Sequence, residues 1–226
     1  MTYAVSDIHG QYMLLDSLLK LINFSDGDRL IVIGDMIDRG EDSLRTIGMI
    51  RALPSASVLL GNHEMMAIQY HAGEKSSWLK PKNGGSRNLE DLMAQGESAY
   101  VNAIEWFKTL PVKLLINQDR LLVHAGICPD VRIEEQSVRD MTWIRHDFFN
   151  KPTGIKPLVI FGHTPSLTKQ GGGKNRVWFD SVNEDKLCID CGAAYGGRLA
   201  AYCLDTDTAY YSDGESENLV FHPHKN

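Results

Sequence analysis

Apolar residues along the chain gather into short runs that each stop abruptly at a polar cluster. Tyr3-Ala4-Val5 leads into Ser6-Asp7-Ile8-His9-Gly10, Leu30 to Ile33 into Gly34-Asp35-Met36-Ile37-Asp38-Arg39-Gly40, and Val58-Leu59-Leu60 into Gly61-Asn62-His63-Glu64. Between the runs the period changes. Leu14, Leu15, Leu18, Leu19 and Ile22 recur at helical spacing after the first cluster, and Leu44, Ile47, Met49, Ile50 and Leu53 do so after the second. This predicts a β-α-β-α-β unit, hence parallel strands joined by right-handed crossovers. From about Leu110 the texture shifts to strands and turns: Val112 to Ile116, a polar hairpin at Asn117-Gln118-Asp119-Arg120, Leu121 to His124, and Leu158 to Phe161 ending in Gly162-His163. Arg176 to Phe179, Lys186 to Asp190, Leu199 to Leu204 and Ala209 to Ser212 continue it. The fold class expected is α/β, a mixed two-sheet β sandwich flanked by helices.

Open α/β sheets bind their ligands beyond the carboxyl ends of the strands, and here five apolar runs end in metal-ligand residue types. Asp7, His9, Asp35, Asn62, His124 and His163 offer hard oxygens and imidazoles without a thiolate, a set suited to divalent Mn, Fe, Zn or Co. They exceed what one ion with an open position needs, so two ions are expected. Two-metal centres about 3.5 to 4 Å apart suit phosphate-ester hydrolysis, because they activate a water and clamp phosphoryl oxygens together. Asp35, in the central turn, is the expected bridge, with Asp7 and His9 on one side and Asn62, His124 and His163 on the other. Each residue alone has a plainer reading, since Asp before Gly forms turns and His after a strand is commonly just hydrogen-bonded. Five separate turns choosing Asp, Asn or His is what that reading leaves unexplained.

Composition narrows the partners. The chain has 226 residues, enough for one α/β domain with a buried core, and its net charge of −6 with 23 scattered Lys and Arg argues against nucleic-acid binding. A single catalytic domain over 1–212 and a polar tail over 213–226 are expected, His222 and His224 being assigned to the tail rather than to a metal site. The start Met1 to Asp7 reads as neither a basic leader nor a membrane anchor, which places the protein in the cytoplasm with no membrane partner. Cys188-Ile189-Asp190-Cys191 has the C-x-x-C spacing of redox pairs, but it lies in a predicted strand, where residues three apart face opposite sides.

The ordered set Asp-x-His-Gly, Gly-Asp-x-x-Asp-Arg-Gly, Gly-Asn-His-Glu, His-Ala-Gly and Gly-His-Thr, from Asp7 to about Gly197, resembles the phosphoprotein phosphatase family of metallophosphoesterases. It is most similar to the compact bacterial and bacteriophage lambda phosphatase-like branch. The resemblance implies the calcineurin-like metallophosphoesterase fold and two divalent ions, Mn2+ first among them. It implies His63 as proton donor to the leaving alkoxide, with Asp38 fixing the ring and raising its pKa. It implies Arg39 and Arg145 as a phosphate clamp, Arg145 through Trp143-Ile144-Arg145, and Tyr195 as a site-facing substrate contact. Trp78 to Gly85 resembles an insert of the bacterial branch, lengthened by Pro81 and Lys82, either a substrate contact or a helix connector. The loop Cys191 to Gly197 departs from the eukaryotic pattern, so eukaryotic-type regulatory subunits are not expected as partners.

The implied reaction is single-step hydrolysis of a phosphomonoester by a hydroxide bridging the two ions, with no phosphoenzyme. The expected substrate is a phosphorylated protein or peptide, at serine or threonine and also at tyrosine if specificity is dual. A dinucleoside polyphosphate hydrolase or nucleotidase on the same scaffold, and a silent binding scaffold, are the alternatives.

Overall fold

The computed structural model describes residues 1–165 and 175–219. In chain order the elements are β1 (Thr2–Val5), α1 (Tyr12–Leu21), β2 (Arg29–Val32), α2 (Ser43–Ala52), β3 (Ala56–Val58), α3 (Asn62–His71), α4 (Gly85–Ala94) and α5 (Glu97–Lys108). The second half adds β4 (Lys113–Ile116), β5 (Arg120–Val123), α6 (Val138–Trp143), α7 (His146–Phe149), β6 (Leu158–Phe161), β7 (Trp178–Phe179), β8 (Lys186–Cys188), β9 (Ala200–Cys203), β10 (Thr208–Tyr211) and β11 (Ser216–Asn218). They form two sheets, in the order β11-β10-β9-β1-β2-β3 and β4-β5-β6-β8-β7. β1, β2 and β3 pair in parallel through α1 and α2, as the sequence pattern predicts.

Alternation along each strand decides which core a residue joins. Ala4, Ile31, Ile33, Leu122, Ile160, Leu187 and Tyr202 meet between the two sheets. Their neighbours Tyr3, Val5, Leu30 and Val32 face the other way, onto Leu15, Leu18, Ile47 and Ile50 of the first two helices. On the opposite side Leu121, Val123, Val159 and Phe161 pack against Met141 and Phe148 of α6 and α7. The result is a mixed two-sheet sandwich with helices on both outer faces, and the strands of its middle are apolar on both sides for that reason.

Several details differ from the sequence pattern: α6 and α7 interrupt the stretch read as strands and turns, and β7 starts at Trp178 rather than Arg176. β3 ends at Val58, two residues before the apolar run does: Leu59 N–H still reaches Val32 O at 2.8 Å, but Leu60 N–H turns to Pro111 O at 2.8 Å. β8 ends at Cys188 rather than Asp190. The supposed tail from 213 contributes β11, antiparallel to β10. Ser-Glu-Asn is an edge strand with no apolar alternation, so periodicity carried no signal for it. Residues 220–226, with His222 and His224, lie outside the described residues.

Cys188 and Cys191 are free and buried, and burial pushes both thiols up, the reverse of a reactive pair. No helix among the described residues is long and apolar enough to cross a membrane.

Candidate active site

The turns after β1, β2, β5 and β6 and the start of α3 converge at one end of the sandwich. Backbone bonds zip the first two turns together: His9 N–H to Asp35 O at 2.9 Å and Gly10 N–H to Met36 O at 2.8 Å. Glu64 ties the third to the second, accepting from Asp35 N–H (3.0 Å), Met36 N–H (2.8 Å) and Gly61 N–H (3.1 Å) while itself fully buried. Asp7, His9, Asp35, Asp38, Arg39 and His163 have φ of 52°, 48°, 53°, 72°, 64° and 65°, the left-handed region that L side chains seldom occupy. Such strain persists only where the surroundings over-determine it, and it clusters at functional sites.

All six expected ligands are buried and brought together. Asp35 faces both ways, Oδ2 lying 3.5 Å from His9 Nε2 and Oδ1 lying 3.4 Å from His124 Nε2. Asp7 Oδ1 is 3.9 Å from His9 Nε2, and Asn62 Oδ1 is 2.9 Å from His124 Nε2. His163 joins Asp35 and His124 in one potential ligand group, and His9, Asp35 and His63 form another. His63 therefore stands among the potential ligands as well as beside them.

The tautomers make this donor set a test for a cation. His9 Nδ1 donates to Ile37 O at 2.8 Å and His124 Nδ1 donates to Ile33 O at 2.9 Å, so each Nε2 turns a lone pair inward. Lone pairs of imidazole, carboxylate and the Asn62 amide oxygen then face one another, an arrangement that a divalent cation satisfies. His163 Nε2 is likewise buried with no hydrogen-bond partner among the described residues. Burial, with Asp7 and Glu64 adding repulsion, holds the Asp35 carboxyl well above its ordinary range, and burial holds His9 and His163 well below theirs. Bound cations reverse both penalties. The residues fit the two-ion expectation.

His63 Nδ1 lies 2.6 Å from Asp38 Oδ2, with both side chains buried. The expected rise in the His63 pKa does not appear: burial, then the neighbouring His9 and Arg39, push it down, and burial pushes Asp38 up.

A cleft of about 650 Å³ opens over Asp35 and Asn62, lined by Arg39, Lys82, Asn83, Trp143, Arg145, His163 and Tyr195. Arg145 is exposed at the start of α7, and Tyr195 is 58% exposed with its ring 5.3 Å from the Arg39 guanidinium carbon. Arg39 is not free of the ligand set. Its Nη1 donates to His9 Nε2 at 2.7 Å, the lone pair that His9 would give an ion, so ion and guanidinium compete for that atom.

Sequence reasoning passed over several residues here. Ser6 Oγ donates to Asp7 Oδ2, and Asp190, buried, accepts from Gly192 N–H at 2.9 Å, its carboxyl pushed well up by burial and then by the nearby Asp7. Glu64 stood inside a motif without a role, and Lys82 and Asn83 lay in the insert. Their roles at the site come from tertiary contact.

A family model described as calcineurin-like phosphoesterase matches residues 2–195. The chain is 30% identical to the serine/threonine-protein phosphatase 1 of Salmonella typhimurium over 87% of its own length and 88% of that protein's. It is 31% identical to a symmetrical bis(5'-nucleosyl)-tetraphosphatase of Coxiella burnetii, covering 92% and 85%. The crystal structure of a cold-active protein-tyrosine phosphatase from a psychrophilic Shewanella superposes with a TM-score of 0.64 at 19% identity, over 97% of this chain and 80% of that one, a likeness of fold.

Proposed function

Because the chain belongs to the calcineurin-like phosphoesterases, hydrolases that work with a dinuclear divalent metal centre, we propose that it removes phosphate from phosphorylated serine and threonine side chains of proteins, in the cytoplasm, with Mn2+ as activating ion. Asp7, His9, Asp35, Asn62, His124 and His163 hold two ions in this reading. When bound, the ions supply a Lewis acid for the phosphoryl oxygens and lower the pKa of a water. Arg145, and Arg39 once moved off His9, present planar guanidinium forks to the same oxygens. His63 carries a proton at Nε2 for the departing alkoxide while Nδ1 is held by Asp38. Tyr195 and Trp143 bound the space beyond the phosphate.

One observation carries the choice of a phosphomonoester: the 2.6 Å contact between the buried His63 and Asp38. A serine or threonine alkoxide is a poor leaving group and departs readily only if protonated, whereas the leaving group of a phosphoanhydride is already a stabilised phosphate. A positioned proton donor therefore favours the first. The likeness to the Coxiella tetraphosphatase favours a second reading, hydrolysis of a dinucleoside polyphosphate.

Turnover of a phosphothreonine peptide set against diadenosine tetraphosphate, on the metal-loaded enzyme, separates them. The expected result is a higher kcat/KM for the peptide. Preference for the tetraphosphate overturns the proposal in favour of the second reading.

A further inference from the structure

The segment between α3 and α4 does more than connect helices. Trp78 is fully buried, and its Nε1–H donates to Asp38 Oδ2 at 2.9 Å, the same oxygen that lies 2.6 Å from His63 Nδ1. The other oxygen, Asp38 Oδ1, has no hydrogen-bond partner among the described residues, nor has the side-chain amide of Asn88, buried nearby. The indole N–H is thus the hydrogen bond that fixes the carboxylate oxygen facing His63, with the Asn88 amide close enough to Asp38 to favour its charge.

A tryptophan kept only for its bulk does not need that contact, but a buried indole N–H does need an acceptor. Here the acceptor is the group that orients the proton donor. The segment is pinned so that the contact holds. Ser76 Oγ donates to Met66 O at 2.7 Å, and Asn83 Nδ2 donates to Ser77 O at 2.7 Å. Gly84, at φ 82°, passes so close to the Arg39 backbone that a Cβ would overlap it, and a Cβ on Gly85 would overlap the Trp78 ring. The same segment presents Lys82 and Asn83 to the cleft. One stretch of chain therefore backs Asp38, abuts Arg39 and forms part of the cleft wall.

We infer that Trp78 is a positioning residue for the His63–Asp38 pair, holding the carboxylate so that His63 Nε2 points at the leaving-group oxygen. The inference rests on His63 being the proton donor of the proposed reaction. Trp78→Phe removes the N–H and keeps most of the ring volume. In the metal-loaded enzyme, kcat for phenyl phosphate falls about 10- to 100-fold, the scale of a misaligned catalytic group. For 4-nitrophenyl phosphate, whose phenolate needs little protonation, kcat falls far less. Metal content, KM and inhibition by inorganic phosphate stay at the parent values.

His63→Asn, run in parallel, separates two kinds of failure. If it shows no dependence on the leaving group, the reading of His63 fails, and the role of Trp78 with it. If His63→Asn shows that dependence and Trp78→Phe does not, or loses equally on both substrates with a raised KM, only the role of Trp78 is overturned. A measurement that needs no Trp78 variant guards against misfolding. In the Zn2+-loaded protein the Trp78 indole proton resonance shifts in Asp38→Ala by more than those of the other tryptophans, and an unmoved resonance overturns the inference as well.

Discussion

Arg39 and Arg145 reach the cleft from different parts of the chain, one from the strained turn after β2 and one from the start of α7. In the proposed reaction each guanidinium meets phosphoryl oxygens whose charge must be held in the transition state, a charge-assisted contact with a planar fork. Arg39→Ala and Arg145→Ala are expected to lose on the order of 10- to 1000-fold in kcat/KM with metal content retained. Lysine recovers little at either position, since an ammonium keeps the charge and loses the fork. Inhibition by inorganic phosphate is the direct check, and an Arg145→Ala enzyme inhibited as strongly as the parent removes Arg145 from the clamp. Arg39 carries an added expectation. Because it donates to His9 Nε2, Arg39→Ala frees that nitrogen, and metal affinity measured by titration should hold or rise rather than fall.

At the scale of elements, the edge of the second sheet is fastened by an ion cluster that the chemistry does not use. Lys186 on β8 is fully buried, with Asp180 Oδ2 2.9 Å from its ammonium and Asp185 beside it. Burial alone would push the Asp180 carboxyl up; hydrogen bonds from Asn183, Lys186 and the backbone of Val182 and Asn183 overcome it, and the pKa lies below the ordinary 3.8. A folded-state pKa below the unfolded one contributes stability that is present above pH 3.8 and is lost as pH falls through the folded value. Asp180→Asn should therefore destabilise the protein near neutral pH by about 1 to 3 kcal/mol, the scale of unpairing a buried charged donor. The deficit should narrow as pH falls below about 3.8 toward the folded-state value and beyond, where the parent loses the same charge. Denaturant titrations of both proteins from pH 7 into that acid range test this, and a deficit independent of pH refutes it.

For the whole molecule, six candidate ligand side chains from both sheets and α3 meet at one end of the sandwich, so ions held there would tie its two halves together. An ion that binds only the folded chain stabilises it by mass action, about 2.7 kcal/mol at a hundred times its Kd. Exhaustive chelation should abolish hydrolysis and lower Tm by several degrees, and Mn2+ should restore both. Full activity with verified absence of metal sinks the two-ion reading. The strands, the first two helices and the positions of Asp7, His9, Asp35, Asn62, His124 and His163 were legible in the sequence because apolar runs that end in Gly, Asp or His have a period, a stop and a chemistry that neighbours in the chain supply. The two-sheet architecture was legible for the same reason. β11 was not, since an edge strand of Ser, Glu and Asn gains its pairing from β10 and has no apolar face to announce it. The indole behind Asp38, the carboxylate of Glu64 across two turns, the guanidinium on His9 and the lowered pKa of His63 were decided only by tertiary structure. Each depends on burial and on partners 24 or more positions away, and local sequence carries no record of either.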